Sequence, residues 1–354
     1  MPVSSLTLNY DAVLSSTLFN LHKAGAITDA ISTSNALFHK IIKGKQYTGN
    51  AEGNRMQVNL LYAFDTGDSY SGYDALSTTP QDGMTAAFFN YGQWSVPVAI
   101  SGKEERENRA SATQAFDLLK AKTKQAVLGI QEGFARAWIQ GNGPNTATAI
   151  ATAFTSIANG STFVDPLPLL VKYDPTTSTT IGNINQSTYT WWRNQTKNST
   201  STTFAGFLKE ADNLYNTCSK GPGGPPDLHF TDQLVFELYV AALRNQNRYT
   251  DYKKADLPFE TVAFHSQAVT WDQFVPDAQN ETITGIPVAA SGTWYMLNTQ
   301  FFMLKYFLNF EAKPFIQPEN QDAKVAQLLW HGGAGVSNRR KHGVMGGIDT
   351  AIAS

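Results

Sequence analysis

The sequence predicts an α+β protein, and three observations support this class. Two apolar extended stretches lie between residues 55 and 100, a long helical pattern follows at 103–140, and further extended stretches occupy the chain after residue 258. Strands therefore come both before and after the helices, as expected when α and β segments are separate in the chain.

Composition limits the kinds of surface that the chain can present. It has 354 residues, 42% of them hydrophobic and only 16% charged, with a formal net charge of −2. This length allows a substantial core and about two domains. Ordinary soluble proteins have about a quarter of their residues charged, so this surface is predicted to be polar but neutral, which suits protein contacts. The charge excludes a basic nucleic-acid-binding footprint.

Cysteine content, the first residues and the apolar stretches bear on the compartment of the chain and on membrane insertion. Cys218 is the only cysteine, so no disulfide can form within the chain, which fits a reducing compartment. Residues 1–26 lack the basic and apolar regions of a signal peptide. The longest apolar stretch, at 294–310, is interrupted by polar residues, so no membrane span is predicted.

The first hundred residues are predicted to be an arm followed by a hairpin. Residues 1–45 have scattered apolar positions and lead into a polar segment that contains several glycines, which indicates an N-terminal arm. Residues 46–100 are predicted to form an extended loop, with apolar runs at 56–64 and 86–100 around a Gly-, Ser- and Asp-rich tip. An isolated hairpin is marginally stable, so it is expected to lie on another surface.

The clearest element is a long helix at 103–140, whose apolar residues form one stripe. Ser101 and Glu104 form an S-x-x-E capping box, and Gly141 and Pro144 end the pattern. Unbroken, the helix would be about 57 Å long. Two shorter helices are predicted at 203–217 and 232–245, on either side of a Gly- and Pro-rich breaker and a short strand.

The search for catalytic signatures predicts no enzyme, cofactor site or metal site. Phosphate-binding glycine motifs, H-E-x-x-H and G-x-S-x-G are all absent. The histidines are scattered without metal-ligand spacing, so each is expected to pack in the core or lie on the surface. They are His22, His39, His229, His265, His331 and His342.

Two weaker signals leave alternatives open. Trp191 and Trp192 could stack on a sugar, or they could be buried with the indole N–H hydrogen-bonded to a partner. Acids such as Asp227 are candidates for the carboxylate pair of a glycoside hydrolase. Asp232 and Glu237 are further candidates of this kind. The basic segment 338–343, NRRKHG, suits contact with phosphate or an acidic neighbour, or a solvated, ion-paired loop.

The order of these elements resembles the major capsid proteins of tailed double-stranded DNA bacteriophages, which share the Hong Kong 97-type shell fold. The resemblance is carried by residues 89–126, from FNYGQW to KTKQA, by GNINQSTYTWWRNQ at 182–195, and by LLWHGGAGVSNRRKHGVMGGI at 328–348. It implies a peripheral domain at 101–185 with the spine helix at 103–140, an axial domain at 186–310, and C-terminal strands at 311–354.

The resemblance also implies a function, which is that of a structural coat protein. Copies of the chain would assemble into hexamers and pentamers of an icosahedral shell around double-stranded viral DNA. Portal, scaffolding or decoration proteins would be partners, DNA would be contacted non-specifically if at all, and assembly would occur in the bacterial host cytoplasm. The alternatives are an encapsulin-like nanocompartment shell, a β-rich carbohydrate-active enzyme, or a tail-associated binding protein.

The charged block at the start of the long helix is the candidate assembly interface. Glu104, Glu105, Arg106 and Arg109 bring more charge than capping requires, and Arg106 near a helix N-terminus opposes the dipole. We expect these residues to bond to neighbouring subunits and so to fix the angle of the hairpin. Some members of the family join subunits through a Lys–Asn bond. Residues 55–100 contain no Lys, so no such crosslink is expected.

Overall fold

The computed structural model of the chain is a mixed arrangement of helices and sheets, as the sequence predicts. It describes residues 36–64, 67, 69–74, 76, 82–108, 122, 124–126, 129, 133, 135–139, 164–245, 262–272, 274–275, 292–319 and 321–352. Of the predicted arm at 1–45, therefore, only the part from Ala36 lies within the described residues.

The elements are numbered here in chain order. The strands are β1 Tyr47–Thr48, β2 Arg55–Leu61, β3 Met84–Asn90, β4 Gly92–Ser101, β5 Thr180–Ile181, β6 Ile184–Asn185, β7 Gln195–Asn198, β8 Leu228–Thr231, β9 Val262–Phe264, β10 Gln267–Trp271, β11 Gly292–Leu297, β12 Phe302–Ala312, β13 Ala323–Val336 and β14 Gly343–Ile348. The helices are α1 Ala36–Lys43, α2 Gly102–Asn108, α3 Leu167–Leu170, α4 Phe204–Ser219 and α5 Gln233–Asn245. Single 3-10 turns lie at Thr190–Trp192, Thr299–Phe301 and Arg339–Lys341.

A four-stranded sheet in the order β1-β12-β13-β4 organises the first hydrophobic core. β13 pairs antiparallel with both β12 and β4, and Trp330 lies opposite Trp94 across the second of these ladders. Buried and exposed residues largely alternate along β4, as expected for a strand with one face on the core. This sheet therefore joins the N-terminal part of the chain to its C-terminal strands.

The predicted hairpin is present, but it is shorter than the apolar pattern indicates. β2 and β3 pair antiparallel over their whole length, which confirms a hairpin across 55–90. Residues 92–101 instead leave the hairpin and pair with β13. Both stretches are extended and apolar, so the local pattern could not distinguish a hairpin partner from a strand more than 200 residues away.

One face of the hairpin packs on the body of the protein. Met56, Val58 and Leu60 are buried in β2, while the residues between them are exposed. The packing is close at Gly335, where a Cβ atom would lie 2.5 Å from the Met56 side chain and 2.7 Å from that of Phe89. A larger residue at 335 would therefore push the hairpin away from β13.

The long helix is described in parts. α2 begins at Gly102, and every described residue between 122 and 139 is helical. Trp138 and Ile139 are fully buried in the first core, and Gly133 lies against the Trp94 ring. These parts agree with the helix expected at 103–140. Residues 109–121 lie outside the described residues, so a continuous spine helix stays a prediction.

A mixed six-stranded sheet in the order β7-β14-β11-β8-β10-β9 carries the second core. Helices α4 and α5 contact this sheet and confirm the two shorter helices predicted from the sequence. Thr203 caps α4 by accepting a hydrogen bond from the Gly206 N–H, and Asp232 caps α5 through the Val235 N–H. Trp294 of β11 is fully buried between sheet and helices.

Candidate assembly surfaces

The start of α2 is built as the sequence predicts. The Glu104 N–H donates to the Ser101 hydroxyl at 3.2 Å, and the Glu104 carboxylate accepts from the Ser101 N–H at 3.1 Å, which confirms the capping box. The hydrogen bond from the Ser101 N–H is the largest cause that lowers the pKa of the Glu104 carboxyl. Lys122, with Nζ 3.3 Å from the carboxylate, is the next. The cap therefore stays ionised, and is lost only when the pH falls through this lowered pKa.

Arg106 ties this helix start to the residue before β13. Its guanidinium meets the Asp322 carboxylate with Nη2–Oδ2 at 2.6 Å and Nη1–Oδ1 at 3.4 Å. Asp322 also accepts a hydrogen bond from the Gly102 N–H through its backbone oxygen at 2.7 Å, and a Cβ atom on Gly102 would collide with its carboxylate. A side chain at 102 would therefore displace the Asp322 carboxylate and disturb its pairing with Arg106. Both charged side chains are more than half exposed, so the pair itself contributes only about 0–1 kcal/mol.

The structure brings together two of the four predicted interface residues. Glu104 and Arg106 lie at the start of α2, which we call the charged joint. Their partners in the same chain are Lys122 for Glu104 and Asp322 for Arg106. The Glu105 side chain and Arg109 lie outside the described residues. Sequence reasoning missed Asp322 because it lies 216 residues from Arg106, and no local spacing signals such a pair.

Large apolar side chains are exposed along the distal end and loop of the hairpin. The most exposed is Tyr73, which has essentially all of its surface in solvent. The others are Leu61, Phe64, Tyr70, Leu76 and Met84. Such a concentration on one projecting element is typical of an interaction surface rather than of the free surface of a monomer.

The basic segment 338–343 is not a solvated loop, because two of its three cations are buried. Contact with phosphate or an acidic neighbour stays a prediction for Arg340 alone. Residues 339–341 of the segment form a single 3-10 turn. Arg339 and Lys341 are almost completely buried, while Arg340 between them is exposed. The buried cations Arg339 and Lys341 form hydrogen bonds inside the protein. Arg340 is the one residue of the turn whose charge faces solvent.

Arg339 connects its turn to two other segments through hydrogen bonds to neutral oxygens. Its Nε donates to the Leu170 carbonyl at 2.8 Å, and Nη1 donates to the Trp192 carbonyl at 2.9 Å. Both Nη atoms lie 3.1 Å from the Gln186 side-chain oxygen, and Nη2 lies 2.9 Å from that of Asn194. The guanidinium also sits over the Trp192 ring. The turn is therefore anchored to α3 and to the 186–194 segment.

Lys341 anchors the other side of the turn. Its ammonium group donates to the carbonyls of Ser219, Lys220 and Gly221 at 3.3, 3.1 and 2.9 Å. These are carbonyls at the C-terminal end of α4, where a cation is favourable. Burial lowers the pKa of Lys341.

The residues considered for sugar chemistry have structural roles. Trp192 is buried and donates its indole N–H to the Ile181 carbonyl at 2.9 Å, while Trp191 stacks on Tyr62 of the hairpin at 4.7 Å between ring centroids. Asp227 accepts from both the N–H and the hydroxyl of Thr299, at 2.7 and 2.6 Å. Asp232 caps α5, and Glu237 accepts from Gln233 on the same helix.

The described histidines fit the packing and surface roles predicted for them. His229 and His342 are fully buried, and burial lowers the pKa of each to about 3. His265 lies on the surface, 2.8 Å from Asp212. Within the described ranges, no group of His, Cys, Asp and Glu is arranged to hold a metal ion. Among the same residues, no helix has the length and apolar character needed to cross a membrane.

This architecture belongs to a recognisable class of protein folds. Over most of its length the chain is similar in fold to a solved chain of a cyanophage capsid and to one of a GTA capsid. No protein-family model matches the chain, and the search of curated proteins returned no significant match. The relationship is therefore one of fold, detected through structure.

Three of the solved structures illustrate the similarity. A chain of the cyanophage A-1(L) capsid asymmetric unit aligns with a TM-score of 0.55 and 13% identity, over 85% of this chain and 90% of that chain. A chain from Gordonia phage Cozz gives 0.52 and 11%, over 87% and 85%. A chain from the capsid of an empty GTA particle gives 0.50 and 11%, over 84% and 85%. These alignments confirm the phage-capsid fold that the sequence resemblance implied.

Proposed function

We propose that the chain is the major capsid protein of a tailed double-stranded DNA bacteriophage, a structural subunit with no catalytic role. The observation that carries the proposal is the alignment with the cyanophage capsid chain over 85% of this chain. The exposed apolar side chains of the hairpin support it, because assembly would remove them from water. Its partners are copies of itself in the hexamers and pentamers of an icosahedral shell.

Electron microscopy of the purified protein tests this proposal. The expected result is closed shells, and particles from infected cells should contain double-stranded DNA. Shells that enclose protein cargo in place of DNA would favour an encapsulin-like compartment. A monodisperse monomer that hydrolyses a polysaccharide would overturn both shell functions.

The domain assignment belongs to the same proposal. In it, residues 1–45 are an arm, 46–100 the extended loop, 101–185 the peripheral domain, 186–310 the axial domain, and 311–354 C-terminal strands. The pairing of β4 with β13 supports the return of the last strands to the body. The protein would reside in the virion capsid after assembly in the host cytoplasm, with portal, scaffolding or decoration proteins as further partners.

The charged joint is proposed to set the angle between hairpin and helix in the shell, through contacts of Glu104, Glu105, Arg106 and Arg109 with neighbouring subunits. The bond from Arg106 to Asp322 supports a role in geometry, because it links the helix start to β13. Arg109→Glu is expected to leave the subunit folded by circular dichroism but to reduce the yield of shells. Lys124→Glu, at an exposed position of the same helical region, is the control. Normal shells from Arg109→Glu would refute this role.

No covalent crosslink between subunits is expected. Residues 55–100 contain no Lys, so the hairpin lacks the amine that an isopeptide bond to Asn requires. Intact particles boiled in denaturant should give a single band at the mass of one chain on gel electrophoresis. A ladder of covalent multimers in untreated particles would contradict the prediction.

A further inference from the structure

A groove of about 330 Å³ lies where the hairpin leaves the body of the protein. One wall is the end of β2 and the start of the loop, with Leu61 and Phe64, both exposed. The stacked pair of Tyr62 and Trp191 lies between this wall and the body. The opposite wall consists of the segment after α4 and the 339–341 turn. The groove is thus lined by apolar and aromatic groups on one side and by basic segments on the other.

The exposed charges of the groove are all positive. Lys220 and Arg340 are exposed on the basic wall, and none of the lining residues is acidic. Within the part of the chain that the structure describes, neither cation forms an ion pair. Buried Arg339 and Lys341 hold the backbone beside them, so the two exposed cations stand on a rigid support. The groove is therefore preorganised for an acidic, aromatic ligand.

We propose that this groove receives the hairpin loop, residues 65–82, of a second copy of the chain. The loop has the complementary chemistry: residues 56–102 contain four Asp and no Lys or Arg, and all four Asp lie within 65–82. Tyr70 and Tyr73 of the loop are exposed and available to pack on the aromatic wall. This inference rests on the proposed shell function and names the surfaces that would join neighbouring subunits.

The second copy is favoured because none of the described loop residues of the same chain, 67, 69–74, 76 and 82, lines the groove. Tyr73 in this loop is fully exposed. A contact in which the loop of one copy enters the groove of the next is head-to-tail, and such contacts close into rings when the rotation between copies permits. Nucleic acid could also bind to cations beside an aromatic ring. It is a less favoured occupant because two exposed cations do not form an extended basic surface and the net charge of the chain is −2.

Site-directed crosslinking tests the contact. Ser71→Cys in the loop and Pro222→Cys in the groove are both exposed positions, whereas the native Cys218 is fully buried and shielded from a short bismaleimide. The double variant is expected to give a ladder of covalent multimers, and each single variant only the monomer band. Ser71→Cys combined with Asn213→Cys, on the exposed face of α4, is the matched control pair and should give no ladder.

Charge reversal tests the complementarity. Arg340→Glu introduced into the crosslinking variant should reduce ladder formation by about tenfold or more, because it places like charges together. Lys209→Glu, the same charge change on exposed α4, should not. A ladder unaffected by Arg340→Glu would overturn the proposal that charge complementarity holds the loop in the groove. If the same particles also lost their DNA, Arg340 would be assigned to a contact with nucleic acid instead.

The outcomes separate this inference from the proposed function. Normal shells whose crosslinking variant gives no ladder, or only an internal crosslink in a monomer, would overturn the groove contact and leave the shell function intact. A ladder from soluble rings that never close into shells would support the contact and overturn the shell function. Crosslinking is carried out on the purified protein in whatever assembly state it adopts.

Discussion

Replacing Arg339 by methionine is expected to lower the free energy of unfolding of the subunit by about 3–5 kcal/mol, because it breaks a buried hydrogen-bond network. The substitution removes the donor from the carbonyls of Leu170 and Trp192 and from the side-chain oxygens of Gln186 and Asn194. Buried acceptors left without a donor are costly, at about 1–3 kcal/mol each before relaxation. Since whole domains are stable by only about 5–15 kcal/mol, much of the variant should be insoluble.

The adjacent arginine is the matched control. Arg340 is exposed on the same turn, and Arg340→Met should change the free energy of unfolding by less than about 0.5 kcal/mol. Urea denaturation of unassembled subunits, followed by tryptophan fluorescence, measures both variants. If Arg339→Met and Arg340→Met had equal midpoints, the inward anchor would not have the structural role assigned to it here.

His229 is expected to make the subunit sensitive to acid. Burial lowers its pKa to about 3, followed by smaller effects of His265 and Lys40, whereas the unfolded chain takes up the proton near pH 6.5. Between pH 6.5 and 3 the unfolded state therefore binds a proton that the folded state does not, so stability falls as the pH decreases through this window. The largest slope from this one residue is about 1.4 kcal/mol per pH unit.

The test compares slopes between variants, because other groups titrate in the same range. Burial raises the pKa of Asp165 to about 7, which favours the folded state as the pH falls and partly offsets the histidines. His229→Leu should flatten the pH dependence of the unfolding free energy by about 1.4 kcal/mol per unit between pH 6.5 and 3. Phe230→Leu, a non-titrating change in the same buried strand, should lower stability without altering the slope. An unchanged slope in His229→Leu would contradict the prediction.

His229 is also a favourable position for this substitution. Both of its ring nitrogens are buried without a hydrogen-bond partner among the described residues, and the rings of Phe264 and Trp294 lie nearby. Replacing the imidazole by an apolar group therefore leaves no new unpaired donor or acceptor. Stability at neutral pH should change little, so the effect on the slope can be measured cleanly.

Elements governed by local rules could be predicted from the sequence. The capping box at Ser101 and Glu104 and helices α4 and α5 follow from residues within a few positions of each other. The hairpin of β2 and β3 follows from two extended stretches on either side of a turn-rich segment. The resemblance in element order also led to the correct fold, although identity with the solved phage chains is only 11–13%.

Elements that depend on distant partners could not be predicted. The apolar stretch at 92–101 was extended as expected, but its partner β13 lies more than 200 residues away. In the basic segment, charge suggested a solvent or phosphate contact for all three cations. Arg339 and Lys341 are buried because carbonyl and amide oxygens from α3, the 186–194 segment and the end of α4 converge on the turn.

The sequence by itself determined the α+β class, the positions of α4 and α5, the presence of a hairpin and the charged start of α2. These depend on periodicity, caps and breakers, which act between near neighbours in the chain. Only the tertiary structure decided which strands pair, which cations face inward, and that Lys220, Arg340 and Trp191 line one groove beside the hairpin. Long-range contacts are selected by burial and by hydrogen-bond satisfaction in three dimensions, and no local pattern of residue types encodes them.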